Sequence, residues 1–454
     1  MPTDTKPDAS AQTSSVAHRS EAVTEFLLRT SHSPALSLCA LALGNFLLFY
    51  VTNIALARRL PLRDFDDYSV AVSMVTVLST IATLGLEKYA LRCIPVYRER
   101  ADWGHALGYW RFSMGIVVAC SVLLIVVVSA SLEIVLVSRR ADTHAAVLVL
   151  TGFLPIISVV LLLVEIATAT GAQIQAVVIY RFLLPASFFI LVHLSYLFGA
   201  VSTAIGVAIC YGLAWLLALI SAYYLVQESM PTEVWDARAS FLKEKWLLRA
   251  SPFLVNSWML SVIASSGVII LEILYTSESV VGTYAVAAQT GTFIVLLANT
   301  TNRYYLPLMS LFMERRDKLA MRRVMRHRLA VIGGLALVFV WAIIVFGEII
   351  LGWFGTSFRE GYDALCVLAI GASLNAVFSD SPYYLQFMKH GRGVLLSTTL
   401  GVIINLSLTA SLGYHFGALG AAYGYTISMG LLFLSQRLQA AHHFKHYWNV
   451  GEND

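Results

Sequence analysis

Charge is what this sequence has least of. Only 13% of its 454 residues are Asp, Glu, Lys or Arg, about half the share in ordinary soluble domains. Apolar residues make up 58%, and they fall in uninterrupted runs of 18 or more, the length needed to cross roughly 30 Å of hydrocarbon. That excludes a soluble globular fold. It also excludes a nucleic-acid-binding domain, whose footprint would be a folded basic surface. Cysteine is scarce as well: Cys39, Cys93, Cys120, Cys210 and Cys366 all sit in or at the ends of apolar runs, and no two are near neighbours. Without CxxC or Cys/His spacing, neither disulfides nor structural zinc are expected. No metal, cofactor or catalytic signature is present, so the chain is not expected to be an enzyme. What is there instead is helix: an all-α, polytopic membrane protein.

Twelve transmembrane helices are expected, near residues 35–57, 69–90, 113–136, 145–169, 176–197, 200–226, 251–274, 279–303, 329–353, 362–387, 393–414 and 416–437. The first run is too long for a signal-peptide core and has no small-residue cleavage site after it. The polar stretch 1–32 reads as a disordered cytoplasmic tail, and 438–454 as a second tail. Lys and Arg set the orientation. With the N-terminus inside, the segments "VYRERADWGHALGYWR", "WDARASFLKEKWLLR", "ERRDKLAMRRVMRHR", "KHGR" and both tails hold roughly 22 basic residues. The outer loops hold six: Arg58, Arg59, Arg63, Arg139, Arg140 and Arg359. The positive-inside rule therefore puts both termini in the cytoplasm and the chain in the cytoplasmic (inner) membrane. The net charge of +4 is an asymmetry across a bilayer.

The chain also says nearly the same thing twice. "FGAVSTAIG" from Phe198 returns as "FGALGAAYG" from Phe416, 218 residues on, with five of nine positions identical. "SP" at Ser33–Pro34 recurs at Ser251–Pro252, also 218 on, and Tyr68 in "DFDDYSVAVS" answers Tyr284 in "SVVGTYAVAA", 216 on. Three anchors in register indicate a duplicated unit of six spans. Six is even, so both copies keep one orientation, related by a pseudo-two-fold axis along the membrane normal. The expected units are six-helix bundles over 33–226 and 251–437. Between them the linker 227–250 carries Trp235, Leu242 and Trp246 on one helical face, opposite Arg238, Lys243 and Lys245, as in an amphipathic helix on the inner leaflet.

Two bundles facing each other suit alternating access around a central cavity. Charges within the spans mark what that cavity handles, because a charge near the bilayer centre costs about 2.5–3.5 kcal/mol and usually faces protein or water. The bases are Lys88, Arg181 and Arg303, with Arg92 one turn beyond Lys88. The acids are Glu87, Glu133, Glu165, Glu272, Glu348 and Asp380. Arg303 minus Lys88 is 215, and so is Asp380 minus Glu165. A base on span two thus recurs on span eight, and an acid on span four on span ten. Snorkelling of Lys88, Arg92 and Arg303 to inner headgroups is the alternative. Arg181 is set deeper, about 9 Å from the inner end of its span. If protons drive transport, Glu165 and Asp380 are the coupling candidates, Asp380 first because Pro382 beside it kinks its span.

The stretch "ARRLPLRDFDDYSVAVSMVTVLSTIATLGLEKYALR" resembles the first hairpin of polysaccharide-type flippases in the multidrug/oligosaccharidyl-lipid/polysaccharide exporter superfamily. "SPFLVNSWMLSVIASSGVIILEILYTSESVVGTYAVAAQ" is similar to their spans seven and eight. The block from "ILGWFGTSFREGYDALC" to "FGALGAAYG" is similar to their C-terminal half. Two departures stand out: span seven offers only Ser265, Ser266 and Gly267 where an Asp is frequent, and Asp67 stands where Gly is frequent. The resemblance implies flipping of an oligosaccharide on an undecaprenyl diphosphate-type lipid, with membrane lipid, a polysaccharide polymerase and chain-length proteins as further partners. A diphosphate with sugars cannot cross hydrocarbon unaided. Lys88, Arg92, Arg181 and Arg303 at the cytoplasmic mouth could replace its hydration, with Asn45, Asn53, Asn256, Gln289, Asn299 and Asn375 available to the sugars. Two other readings stay open: a multidrug-type cation antiporter, and a membrane-bound polysaccharide-modifying enzyme, for which His193 is the one intramembrane histidine.

Overall fold

The computed structural model describes residues 43–136, 145–199, 203–275, 280–314, 317–388 and 390–449. Among these, every regular element is helical. In chain order they are α1 (43–59), α2 (Leu62–Ala82), α3 (Leu86–Glu99), α4 (Trp103–Leu136), α5 (Ala145–Gly152), α6 (Leu154–Ala169) and α7 (Gln173–Val178). A π-turn (Ile179–Leu183) leads into α8 (Leu184–Leu197), then α9 (Ala204–Ser229), α10 (Thr232–Asp236) and α11 (Lys243–Leu274). The second half holds α12 (Val280–Gly291), α13 (Phe293–Glu314), α14 (Lys318–Gly352), a 3-10 turn (Thr356–Gly361), α15 (Tyr362–Phe378), α16 (Ser381–Phe387) and α17 (Gly391–Asn449).

Eight helices are long and apolar enough to cross a membrane, and two bent pairs, α2 with α3 at 42° and α5 with α6 at 46°, make ten. At 1.5 Å per residue α17 would reach about 88 Å, far more than one crossing needs. It is broken at Gly417 (φ 59, ψ −134), so it makes two passes. α1, described over 43–59, is a further apolar helix in the first half. The tail 1–32 and Ser33–Pro34 lie outside the described residues.

The nine-residue repeat has a local cause. Gly199 (φ +69) and Gly417 (φ +59) occupy the same place in the two copies, and both lie in the left-handed region that glycine enters without steric cost. Each turns the chain between the last two spans of its half. In the first copy Thr203 then caps α9, its hydroxyl accepting the Gly206 N–H at 3.4 Å.

Ser251–Pro252 does not begin the seventh span. α11 starts at Lys243 and carries Pro252 inside it. The helix tolerates this because the carbonyl that Pro252 cannot reach, that of Leu248, accepts the Ser251 hydroxyl at 3.0 Å. The linker likewise differs from a surface helix. α10 is five residues long, residues 237–242 are non-helical, and the Ser240 N–H donates to the Gly104 carbonyl at 2.9 Å. Trp246 is fully buried, edge-on to Tyr109 at 5.3 Å, with its indole N–H donating to the Tyr97 hydroxyl at 2.8 Å. That hydrogen bond lets a tryptophan be buried whole, and it pins the start of α11 to the first half. Past Arg437, where a tail was expected, α17 stays helical to Asn449.

The apolar core shows how the halves meet. At the end of the molecule where α1 passes into α2, one cluster draws Tyr50, Phe65 and Tyr68 together with Tyr284, Phe354 and Phe358 of the other half. Tyr50 meets Phe354 edge-on at 5.2 Å, and Phe65 meets Phe358 at 5.5 Å. Asn53 donates to Gln289 at 2.8 Å, and the Tyr50 and Thr290 hydroxyls pair at 3.1 Å. At the opposite end, where α3 turns into α4, the cores are separate. One holds Leu86, Tyr109 and Trp246 of the first half and linker; the other holds Tyr305, Met309 and Tyr384 of the second. The two halves share a core at the Leu60 end; at the Arg100 end the start of α11 packs into the first half's core at Trp246 and Ala250, and Tyr305, Met309 and Tyr384 belong to a core of their own.

Candidate functional site

The site begins with four hydroxyls at helical spacing, Thr76, Ser79 and Thr80 on α2 and Thr83 at its C-cap. Each donates to a carbonyl of its own helix, to Val72 at 2.7 Å, Thr76 at 2.9 Å, Val77 at 2.7 Å and Thr80 at 3.2 Å. With their protons turned back to the backbone, they offer lone pairs outward.

Directly after them the chain bends. Leu84 (φ 53) and Gly85 (φ 72) are both left-handed, a strain of about 1–2 kcal/mol for a residue with a Cβ. Gly85 also lies against α11 so closely that a Cβ there would meet the Leu254 nitrogen and Ala250 carbonyl oxygen. The break re-aims α3, and its first turn delivers Glu87 and Lys88 to the same side as the hydroxyls.

These groups line a cavity of about 290 Å³ with Ile157, Leu161 and Glu165 of α6, Tyr180 of the π-turn, Tyr211 and Trp215 of α9, and Ser257 of α11. Lys88 is ion-paired with Glu165. Their side chains are 43% and 22% exposed, so the pair is open to exchange. Glu87 is different: it is only 7% exposed, and its Oε2 has no hydrogen-bond partner. The Tyr211 and Trp215 rings stand 6.2 Å apart, as do Tyr180 and Trp215, giving the cavity an aromatic wall.

The structure thus brings together Lys88 and Glu165, one from each set of expected residues. Arg92 is exposed on α3. Arg181 sits half-buried in the π-turn, its guanidinium 5.6 Å from the neighbouring Tyr180 ring. The cavity takes Tyr180, not Arg181. The π-turn is the reason: Pro185 cannot donate to the Arg181 carbonyl, and the extra residue rotates the faces of the span. Arg303 is on α13, and its side chain lies outside the described residues.

Asp380 belongs to a separate network in the second half. Its carboxylate receives Arg328 at 3.0 Å and the Tyr384 hydroxyl at 2.6 Å. Arg328, 1% exposed, spends its remaining donors on Asn302 Oδ1 at 3.0 Å, the Val377 carbonyl at 2.9 Å and Ser379 Oγ at 2.9 Å. The arrangement ties α13, α14 and α15 together. Sequence reasoning missed Arg328, which ends a basic run and read as part of a cytoplasmic loop. The available signal was its place as the last base before an apolar run, on a helix that begins ten residues earlier.

Among the described residues, helices long and apolar enough to cross a membrane surround an off-centre polar cavity. The chain superposes on an inward-facing multidrug resistance transporter of the MATE family in the MOP superfamily, with 14% identity, TM-score 0.75, and coverage of 88% of this chain and 94% of that one. It also superposes on the lipid II flippase MurJ in an inward closed conformation (12% identity, TM-score 0.63, 89% and 87% covered). A third is a MOP superfamily transporter from Pyrococcus furiosus (14%, TM-score 0.58, 91% and 96% covered). At these identities the likeness is one of fold. No curated protein matches the sequence. Residues 34–313 match the family described as "Polysaccharide biosynthesis protein". The chain belongs to that family, and is a multi-pass membrane protein with the fold of the MOP superfamily.

Proposed function

We propose that this chain flips a lipid-linked oligosaccharide of the undecaprenyl diphosphate type across the cytoplasmic membrane by alternating access, for surface polysaccharide synthesis. The distribution of Lys and Arg supports an orientation with the Leu60 end outside and the Arg100 end in the cytoplasm. In that orientation the halves share an aromatic core outside, while inside the first half meets the second through α11, which adds Ser257 to the cavity wall; in this reading the cavity loads from the cytoplasmic leaflet. Residues 33–226 and 251–437 are the two rocking bundles in this reading.

The observation that carries it is Lys88. A base is kept inside an apolar span, accessible, and held only by a carboxylate that a diphosphate can replace through charge-assisted hydrogen bonds. Sugars would meet acceptor hydroxyls on α2 and the faces of Tyr180, Tyr211 and Trp215. Arg92 lies one turn towards the cytoplasm and serves the approach path, with Arg303 from the other half.

The test is surface glycan, read on a gel at matched expression, in a strain lacking its own copy. Lys88→Ala is expected to cut export by at least about tenfold, the worth of one charged hydrogen bond of 1.5–3 kcal/mol; Arg181→Ala is expected to do less. Full export by Lys88→Ala would overturn the assignment. Export of organic cations is a second reading, favoured by the two acids in the cavity, and ethidium efflux by vesicles containing the protein would establish it.

A further inference from the structure

At the Leu60 end, far from the cavity, two arginines from different halves reach the same step of chain. Arg58, on α1, donates through Nε to the Trp353 carbonyl at 2.6 Å. Its terminal nitrogens make no hydrogen bond or ion pair among the described residues. Arg359, on the 3-10 turn, lies against Gly352, where an added Cβ would meet its Nε and Nη2 at 3.0 and 3.1 Å. Gly352 ends α14 without a positive φ, so its backbone does not call for glycine, and alanine is the better helix former there. What the missing side chain provides is a seat for the Arg359 guanidinium. Arg359 has no hydrogen-bond or ion-pair partner among the described residues, although Glu348, Glu360 and Asp363 are near it in sequence.

The seat is firm. Phe354 and Phe358 on the same turn are buried, edge-on to Tyr50 and Phe65 of the first half. Arg59, next to Arg58, is by contrast taken up over the Tyr196 ring at 4.1 Å. Arg58 and Arg359 are both exposed, and Trp353 beside them is 48% exposed, as for an aromatic at the level of lipid headgroups. Two guanidiniums held to one step of chain repel each other. A phosphate relieves that by accepting charge-assisted hydrogen bonds from both, in the planar geometry that suits it.

We propose that Arg58 and Arg359 form a binding site for the phosphate of an anionic lipid, one guanidinium from each half, and that an occupied site holds the Leu60 end closed. The two arginines stay together only while the halves meet at that end. Phosphate binding and closure therefore favour each other by the same factor. In the flipping reading, on which this last consequence rests, that end faces the outer leaflet, and lipid phosphate there slows the opening that releases the next molecule.

The experiment uses the purified full-length protein in phosphatidylcholine nanodiscs and reads amide hydrogen exchange over 353–361 by mass spectrometry. One arm adds phosphatidylglycerol and the other undecaprenyl diphosphate; oleate at the same mole fraction controls for surface charge alone. Exchange is expected to slow about fivefold with at least one of the two phosphates, the scale of two exposed charge contacts. A response to phosphatidylglycerol identifies a resident phospholipid as the occupant, and a response to undecaprenyl diphosphate alone identifies the carrier lipid. Arg58→Gln and Arg359→Gln are each expected to lose most of the slowing, and Arg359→Lys to keep part of it, since a point charge replaces the fork. Arg359→Gln should unfold at the wild-type temperature, because no protein group pairs with that arginine. Lys88→Ala is expected to keep the slowing in full, which separates this site from the cavity. No slowing with either phosphate, equal slowing with oleate, or slowing that survives in Arg359→Gln would overturn the proposal. Intact slowing in a protein whose Lys88→Ala form exports glycan fully would keep this site and reject the Lys88 assignment instead.

Discussion

Each half holds one ion pair built on an acid of the 215-residue register, Glu165 or Asp380, but the bases come from different spans and the two pairs are unlike. Lys88–Glu165 is open to the cavity; Arg328–Asp380 is enclosed, with every donor of the guanidinium that faces the network in use. Removing one partner of an enclosed pair strands the other charge and costs about 3–5 kcal/mol. Arg328→Ala is therefore expected to unfold at a clearly lower temperature than wild type, measured in nanodiscs, whereas Lys88→Ala is expected to stay within about 1 kcal/mol, as for exposed pairs. Equal thermal loss in both would show that the two pairs do the same job. The spacing of 215 residues made Glu165 and Asp380 legible as related acids, and charge inside an apolar run made Lys88 legible. Arg328 was not, because nothing in a basic run says which base turns inward. Glu87 was visible as an acid, but only the fold shows that Lys88 prefers Glu165 and leaves it alone.

Among elements, the bend between α2 and α3 matters most, since it carries Glu87 and Lys88 to the hydroxyl face. In sequence "TLGLEK" sits within one apolar run and reads as continuous helix. Its break comes from two left-handed residues and from the close passage of α11, a contact between segments some 165 residues apart that no local pattern records. Gly85→Ala places a Cβ at φ +72 against backbone atoms of Ala250 and Leu254 that cannot yield. It is expected to abolish glycan export and lower the unfolding temperature, while Gly44→Ala, which meets nothing within 4 Å, leaves both unchanged. Unchanged export by Gly85→Ala would mean the bend is incidental. Other elements were more legible. The all-helical membrane character followed from hydropathy, and the "FGA" repeat was legible as a duplication, though the left-handed turn at each of its glycines and the partner of the linker's buried tryptophan, Tyr97, were not.

For the molecule as a whole, closure at the Leu60 end rests on a few contacts between α1 and α12 and on aromatic pairs beside them. With the native cysteines replaced, a short reducible thiol cross-linker is expected to join Asn53→Cys to Gln289→Cys, because the tips of the two native side chains meet at 2.8 Å. It should stop glycan export, and reductant should restore it. Export that continues through the cross-link would show that this end need not open.

Transport itself can be followed with purified protein in vesicles, using a fluorescent undecaprenyl diphosphate-linked oligosaccharide and an impermeant glycosidase added outside to report which leaflet holds it. Vesicles with the wild-type chain are expected to expose the whole labelled pool, those with Lys88→Ala to do so at least about tenfold more slowly, and protein-free vesicles to expose only the outer half. A folded wild-type protein that exposes no more than protein-free vesicles would contradict the flippase reading.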